Sequence, residues 1–372
     1  MQQFISKFKS LITLLTTNDY PHLLNILIYR VQKKVIQSKV LNPYPLTELE
    51  LGTYRTKCVY TRKELYNRKR EGYTCWHPEY NIYETCIFGD RFVYEVEDVV
   101  VDTLTGHVFD NTGSLILESS SWPMHWHMSA RTPGVDSKPV SRKHLKYEQV
   151  NSILLPQNGF FDWIHDDLSL FIFLMQNRPK SKILVYKKAP KYVLSFLNDY
   201  NIEHKFVDRY IKLDKYEFVA KLDNNWTDTT DIKIIRDFFL SDGVEPIAKV
   251  ATKIFISRLK SNRSPSFESK LCDWLEQRGW KIIHTQDLTL KDQIRELRYA
   301  DVIAGVHGAG LVGAIWSKPD CSLIEISNLN WRNSPILARL SAALGIKYKR
   351  IQYSEDDSKS LMKITDYLES II

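Results

Sequence analysis

Apolar and polar positions along the chain predict two successive arrays of strands and helices. From residue 153, short apolar runs alternate with segments in which apolar residues recur at helical spacing, and the same pattern restarts at residue 253. Apolar runs joined by amphipathic helices are typical of βα units with a parallel sheet. The pattern therefore predicts an α/β protein with two Rossmann-like domains that face a central cleft.

The arrays divide into elements as follows. The first array has predicted strands at 153–155, 182–186, 204–207 and 216–222, with helices at 162–176, 190–200 and 228–240. The second has predicted strands at 253–257, 281–284, 301–306, 322–326 and 348–353, with helices at 267–278, 290–299, 335–344 and 358–371. The Ser-, Gly- and Pro-containing stretch 241–246 between them predicts a break.

The region before residue 150 predicts an extension of mixed structure. Residues 39–53 contain prolines without periodicity and indicate a linker, residues 61–70 are strongly charged and indicate a solvated helix, and residues 82–110 alternate as antiparallel strands do, with a turn at Thr105-Gly106. We therefore predict an N-terminal segment and linker (1–53), a first Rossmann-like domain (54–243), a second Rossmann-like domain (244–355) and a C-terminal helix (356–372).

Residues 1–40 carry six basic residues against one acidic residue, a net charge of +5, with leucines at helical spacing. Two interpretations stay open: surface helices that pack on the body, or a basic amphipathic anchor at a membrane surface. No apolar span reaches 18 residues, so we expect no transmembrane helix, and the start lacks the cleavage site of a signal peptide. We expect a cytoplasmic protein, with peripheral contact at the inner face of the membrane under the second interpretation.

Composition narrows the possible partners. The 372 residues have a formal charge of +7, which is too small for a nucleic-acid-binding protein but suits an anionic ligand or membrane surface. The five cysteines lack metal-site spacing and predict reduced thiols. The pair His125 and His127 could bind zinc, but no cysteine or carboxylate lies nearby, so a surface or acceptor-binding loop is favoured.

A glycine-rich turn carries the strongest signal for a ligand. It spans Gly305–Gly310, between the apolar runs 301–306 and 322–326. Gly308 and Gly310 allow positive φ angles and close approach of a ligand to the backbone, and we expect a following helix whose first N–H groups bind a diphosphate. His307 lies inside the turn, where it would either contact the ligand or cap the turn.

Charged residues at two other strand ends extend this candidate site. Arg258 and Arg263 follow the first strand of the second array, where a guanidinium could bind phosphate oxygens; the alternative is a solvated basic loop. Glu325 ends an apolar strand and could accept hydrogen bonds from a ribose diol. The alternative for Glu325 is a salt bridge with a neighbouring basic residue.

An acidic cluster opens the first helix of the first array. Asp162 and Asp166 are four residues apart and should share a helix face, with His165 about 100° further round. Paired carboxylates beside a histidine can supply a general base. Acidic residues in a first turn are ordinarily helix caps, and that alternative also stands.

Together these groups resemble glycosyltransferase family 61, which includes protein O-linked GlcNAc and xylosyl transferases and bacterial capsular polysaccharide enzymes. The resemblance rests on ISR at 256–258, ADVIAGVHGAGLVGAIW at 300–316, SLIEI at 322–326 and NGFFDWIHDDLSL at 158–170. Asp162 stands where the family has a histidine, and Asp166 matches the family's acidic residue. Residues 1–150 resemble no family we can name.

The resemblance implies a GT-B fold and inverting transfer of a sugar, with the acceptor and the catalytic base in domain 54–243 and the nucleotide sugar in domain 244–355. No Asp-x-Asp dyad lies in the nucleotide-sugar domain, so we expect no metal and no cofactor. The donor would be a nucleotide sugar, UDP-linked, bound by Arg258, Arg263, His307, Gly308, Ala309, Gly310 and Glu325. The acceptor would be a glycan or lipid-linked glycan, deprotonated by Asp166, with Asp162 and His165 beside it.

Two other functions remain as alternatives. A nicotinamide-dependent oxidoreductase would need a GxGxxG turn after its first strand with an acidic residue about 20 positions later, and this combination does not follow the first predicted strand of either array. A non-catalytic sugar-binding module on a degenerate GT-B scaffold stays open because of the departure at Asp162.

Overall fold

The computed structural model describes residues 60–64, 73–77, 82–86, 92–109, 119, 147–148, 152–156, 159–219, 227–241, 251–261, 263–329, 335–354 and 358–370. The segment 1–53, the loop with His125 and His127, and residues 242–246 of the predicted break lie outside the described residues. Below, the N-terminal part means the described residues from 60 to 241, and the C-terminal part means those from 251 to 370.

Antiparallel pairing dominates the start of the N-terminal part. Its strands are β1 (Tyr60–Glu64), β2 (Tyr73–His77), β3 (Ile82–Cys86), β4 (Phe92–Asp102), β5 (Val108–Phe109) and β6 (Tyr147–Glu148). The turn at Thr105-Gly106 is confirmed, because β5 folds back on β4 and Gly106 has φ of 76°. The solvated helix predicted at 61–70 is wrong at its start: Tyr60–Glu64 pair with β4, so cross-strand hydrogen bonds outweigh the charged pattern.

A second sheet of the N-terminal part is parallel. It contains β7 (Ser152–Leu155), β8 (Lys182–Tyr186) and β9 (Lys205–Val207), in that order. Helical segments accompany it: α1 (Phe160–Asp162), a π-helical turn (Trp163–Asp167), α2 (Leu168–Asn177), α3 (Lys191–Asp199) and α4 (Thr229–Leu240). The strand predicted at 216–222 is instead β10 (Tyr210–Val219), which pairs antiparallel with β4 and parallel with β6, outside the βα array.

The C-terminal part is built on five parallel strands. They are β11 (Lys253–Ile256), β12 (Lys281–Ile283), β13 (Val302–Val306), β14 (Ser322–Asn328) and β15 (Lys347–Tyr353), in the order β12-β11-β13-β14-β15. The connections contain α5 (Glu268–Glu276), α6 (Leu290–Leu297), α7 (Ile336–Leu344) and 3₁₀ helices at Thr285–Asp287 and Ala309–Trp316; α8 (Ser358–Glu369) follows the sheet. Gly279 and Gly345 follow α5 and α7 with φ of 78° and 69°, as left-handed helix ends require.

Alternate residues of these strands face two different cores. Ala304, Val306, Ile324 and Ile326 pack into a cluster with α5 and α8. Ile303 and Leu323 face the other side and join a larger cluster that also holds N-terminal residues. Continuous apolar runs reflect this burial on both faces, which is usual for parallel sheets.

The two parts contact each other through α4 and the second 3₁₀ helix. Phe239 and Trp316 are both buried and meet edge to face at 4.9 Å between ring centroids. Arg236 donates to the carbonyl oxygens of Ile315 and Ser317 at 2.7 and 2.8 Å. Carbonyls at a helix end are thereby satisfied across the contact.

These observations confirm a mixed α/β fold with parallel sheets. Among the described residues, no helix combines the length and the hydropathy that crossing a bilayer requires.

Candidate active site

A pocket lies where the strand order of the C-terminal sheet switches direction. The first strand, β11, has the second strand on one side and the third, β13, on the other. Ile256 and Gly305 are register partners, so the carboxyl ends of these two strands lie side by side. Open α/β sheets bind ligands at such a point, and here the pocket has a volume of about 360 Å³.

Both parts of the molecule line this pocket. The C-terminal part supplies two strand ends, the segment 285–289 and the turn 308–311. The N-terminal part supplies Phe160 and three residues of α3, namely Lys191, Tyr192 and Ser195. Phe160 and Tyr192 meet edge to face at 5.3 Å and give the pocket an aromatic wall. Burial, with the charges of Asp167 and Asp162, raises the pKa of Tyr192 to about 12, so its hydroxyl stays protonated.

Gly308 and Gly310 are required for space and not for backbone conformation. Gly308 is extended, with φ of 176°, and Gly310 is not among the described residues with positive φ, so neither glycine uses the positive φ that it allows. A Cβ atom on Gly308 would lie 3.0 Å from the Arg258 guanidinium carbon. A Cβ atom on Gly310 would lie 2.9 Å from a methyl carbon of Ile256. The turn lets the end of β11 approach the backbone closely.

The helix predicted after the turn is a 3₁₀ helix that starts at Ala309. Eight residues are long for a 3₁₀ helix, and six of them, Leu311–Trp316, are buried. Ala309 and Gly310 form its first turn and line the pocket. Their N–H groups therefore lie at the end of a helix that opens on the pocket, which suits an anion.

Arg258 reaches from the end of β11 to the turn. Its Nη1 donates to the carbonyl oxygen of His307, and its backbone N–H donates to Glu268 Oε1 at 2.5 Å. Burial and then the charge of Arg263 lower the pKa of Arg258. An anionic ligand would relieve that penalty, because it supplies a countercharge.

Arg263 and Glu268 both follow β11, and neither is among the residues that line the pocket. Arg263 is exposed. Glu268 is fully buried, and its second oxygen accepts from Ser264 at 2.6 Å, so it ties down the loop after β11. The sequence pattern did not reveal this role, since Glu268 opens a helix as many surface glutamates do.

The ring of His307 contacts the buried carboxylate of Glu325. Its Nδ1 lies 2.5 Å from Glu325 Oε1, and Glu325 Oε2 accepts from Arg350 Nε at 3.0 Å and from the Tyr348 hydroxyl. Burial alone would raise the pKa of Glu325, but His307 and Arg350 hold it below the usual glutamate range. Glu325 has no exposed surface for a ribose diol, so the salt-bridge alternative describes its contacts better than the predicted ribose contact.

Asp162, His165 and Asp166 lie on a helix that widens for one turn. The N–H of Leu168 donates to the carbonyl of Trp163, five residues back, as in a π-helix. Asp162 and Asp167 make no side-chain capping hydrogen bond, but Asp162 and Asp166 lie in the first turns of their helical segments, so the helix-dipole alternative stands. Single π-helical turns occur often at functional sites.

His165 joins Asp166 to Thr227 inside the N-terminal part. Its Nδ1 lies 2.5 Å from Asp166 Oδ1 and its Nε2 lies 2.7 Å from the Thr227 hydroxyl. With Asp166 ionised, Nδ1 donates to the carboxylate and Nε2 accepts from the hydroxyl. Asp166 Oδ2 is buried and has no hydrogen-bond partner within the described part of the chain.

The pocket brings together only some of the predicted site residues. Arg258, Gly308, Ala309 and Gly310 line it; Arg263, His307, Glu325, Asp162, His165 and Asp166 do not. The aromatic wall was missed because α3 has the pattern of an ordinary amphipathic surface helix. Nothing in its sequence distinguishes Tyr192 from a packing residue.

Comparison with protein families identifies this region. Residues 160–324 match the model of glycosyltransferase 61. The region belongs to glycosyltransferase family 61. The resemblance predicted from the motifs is thereby confirmed, and the coarse function is that of a glycosyltransferase.

The family 61 region and the pocket coincide. Every residue that lines the pocket, from Phe160 to Leu311, lies inside the matched range. Glu325, Tyr348 and Arg350 lie beyond its end. A search of curated proteins finds no match to the chain.

Among the described residues, no three His, Cys, Asp or Glu side chains converge as metal ligands would. The predicted independence from metal stays a prediction.

Proposed function

We propose that this protein is an inverting glycosyltransferase that moves a sugar from a UDP-linked donor to a hydroxyl of a glycan acceptor. The observation that carries the proposal is the pocket at the strand switch point, inside the family 61 region, with Arg258 and the 308–310 turn at one wall. A guanidinium and helix N–H groups at a strand switch point suit a nucleoside diphosphate.

We also propose a GT-B arrangement, with the donor held mainly by the C-terminal part. Its support is the pocket, which has walls from two α/β units, each with its own parallel sheet. In such an arrangement the acceptor would approach from the side of the N-terminal part.

In the proposed reaction the acceptor oxygen attacks C1 of the sugar as the bond from C1 to the diphosphate breaks. The negative charge that develops on the diphosphate is met by Arg258, by the N–H groups of Ala309 and Gly310, and by His307. Donors that are already in place stabilise such charge without reorganisation. The released diphosphate leaves as UDP.

The proton of the acceptor hydroxyl goes to the pair Asp166 and His165. Asp166 Oδ1 is committed to His165, and Oδ2 is the oxygen left to accept a proton. In an ordered Asp–His pair either member can be the group that contacts the acceptor, because the other fixes its orientation. Asp166→Asn and His165→Ala, each measured for turnover, separate these cases, because the residue that contacts the acceptor should cost the larger loss.

We propose that donor binding needs no divalent metal and no cofactor, because the cationic and N–H groups named above supply the positive charge. Calorimetry of UDP binding in EDTA tests this, with a thermal-shift panel of nucleotides and nucleotide sugars to find the preferred donor. Binding that vanishes on chelation and returns with manganese would overturn metal independence. No stabilisation by any nucleotide sugar would overturn the transferase assignment itself.

We further propose that residues 1–40 bring the enzyme to an anionic membrane surface, where a lipid-linked or growing polysaccharide is the acceptor. The support is their net charge of +5 and helical leucine spacing. Flotation with anionic vesicles should show binding that weakens with salt. Absence of binding at low salt would leave this segment as packing helices.

A further inference from the structure

Glu325 is held by more partners than a simple ion pair needs. Its side chain is completely buried, and Arg350, whose side chain is 2% exposed, donates from Nε to Oε2. The Tyr348 hydroxyl donates to the same oxygen and accepts from Arg350 Nε at 3.0 Å. The opposite oxygen is left to His307 Nδ1.

The register of the sheet produces this arrangement. Glu325 and Arg350 are direct partners in the parallel pair of β14 and β15. Their side chains therefore project to one face, and Tyr348, two residues before Arg350, projects to the same face. On the opposite edge of β14, the neighbouring strand β13 supplies Gly305 as the register partner of Glu325, and His307 follows Gly305 by two residues.

We propose that Tyr348 and Arg350 are positioning residues that fix the carboxylate of Glu325 and, through it, the ring orientation and tautomer of His307. Burial of a carboxylate costs free energy unless several donors satisfy it, and an apolar side chain at position 325 would stabilise the sheet at least as well. A role in positioning His307 explains why a carboxylate stands there. The proposal rests on the proposed function, in which His307 stands beside the leaving diphosphate.

The chemistry follows from which nitrogen carries the proton. An ionised Glu325 accepts from Nδ1–H, so the acceptor lone pair of the neutral ring, or the second N–H of the protonated ring, is on Nε2. Carboxylates behind histidines fix tautomer and orientation in the same way at metal sites. When the ring is protonated, Nε2–H can donate to a diphosphate oxygen, and the buried carboxylate stabilises the resulting charge.

The test compares Tyr348→Phe with Tyr367→Phe, a matched loss of one hydroxyl on α8, away from the pocket. Nitrogen-15 spectra of histidine-labelled protein report the tautomer, with the His307 signal assigned by its loss in His307→Gln. We expect an Nδ1–H tautomer in the wild type. In Tyr348→Phe we expect altered His307 shifts and a fall in kcat of about 10-fold, as for other residues behind a functional histidine.

The effect on kcat should exceed the effect on donor KM, because the contact strengthens as the leaving group gains charge. If Tyr348→Phe does not fold, Arg350→Lys, which keeps the charge but loses the Nε–H donor, provides the same test. An Nε2–H tautomer in the wild type would overturn the proposal. So would Tyr348→Phe behaving like Tyr367→Phe in both spectra and kinetics.

Failure of the proposed function would look different. If the wild type binds no nucleotide, the transferase proposal fails, but the tautomer of His307 and its response to Tyr348→Phe are measured on the protein alone. Those spectra then still decide whether Tyr348 and Arg350 position His307.

Discussion

The substitution Gly308→Ala separates the role of the turn in the site from its role in the fold. The backbone at Gly308 is extended, with φ of 176°, so alanine adds no conformational strain there. Its methyl carbon would lie 3.0 Å from both Cζ and Nη1 of Arg258 and 3.1 Å from Nε. The new contact is therefore with a side chain that binds the proposed diphosphate, and the guanidinium must retreat.

The size of that retreat sets the expected effect. Comfortable contacts between heavy atoms begin near ~3.5 Å, so the guanidinium must move by about 0.5 Å. A misplacement of about 1 Å at a reacting centre can cost about 100-fold in rate. We expect kcat/KM for the donor to fall about 10-fold, which corresponds to about 1.4 kcal/mol.

Two other glycines provide the controls, measured by donor kinetics and urea unfolding. In Gly305→Ala the added carbon would lie 2.8 Å from the backbone oxygen of Ile256, which the sheet holds, so we expect a loss of about 1–3 kcal/mol in the free energy of unfolding. In Gly279→Ala nothing lies within 4 Å, but φ is +78°, so about 1 kcal/mol should be lost without effect on kinetics.

The reasoning is refuted if Gly308→Ala keeps normal donor kinetics, since Arg258 would then not depend on the space above it. It is also refuted if Gly308→Ala loses as much unfolding free energy as Gly305→Ala, because the glycine would then serve the fold.

Three further predictions concern charged groups. Arg258→Ala should weaken UDP binding by about 1.5–3 kcal/mol in calorimetry while the unfolding midpoint holds, whereas exposed Arg263→Ala should do less; a collapsed midpoint with normal affinity would make Arg258 structural. Asp166→Asn should lower turnover about 100-fold or more while donor binding stays intact. Asp167→Asn should lower turnover much less. Near-normal turnover in Asp166→Asn would mean that another residue of this helix is the base. Folding lowers the pKa of Glu325, so its contribution to stability is present above the unfolded pKa and is lost as pH falls through the folded pKa. In urea unfolding, Glu325→Gln should therefore reduce the loss of unfolding free energy at acid pH. The same loss in Glu325→Gln as in the wild type would contradict this prediction.

Within the described residues, the sequence predicted the elements of the second array closely. Its strands and helices appear within a few residues of the predicted bounds, because long apolar runs and amphipathic spacing depend mainly on local burial. Gly279 and Gly345 follow directly after the predicted helices 267–278 and 335–344, and glycine adopts the left-handed conformation of such an end without penalty. The motifs also indicated the family, which the match over 160–324 confirms.

Local patterns failed where a residue's partner is distant in the chain. The charged segment after Tyr60 is a strand because β4 offers it hydrogen bonds, and Tyr210–Val219 joins the same sheet for the same reason. The apolar run 322–326 did not show whether Glu325, which lies in the middle of β14, would contact a ligand or neighbouring residues. The register partner of Glu325, Arg350, decided that.

The composition of the pocket could not be read from spacing either. The order β12-β11-β13 brings Arg258 beside a turn 49 residues later, and the contact between the two parts adds Tyr192 from α3. The sequence by itself therefore determined the strands and helices of the second array and the family that the motifs resemble. Only the tertiary structure decided which residues share the pocket, because strand order and register depend on packing between segments that the chain separates.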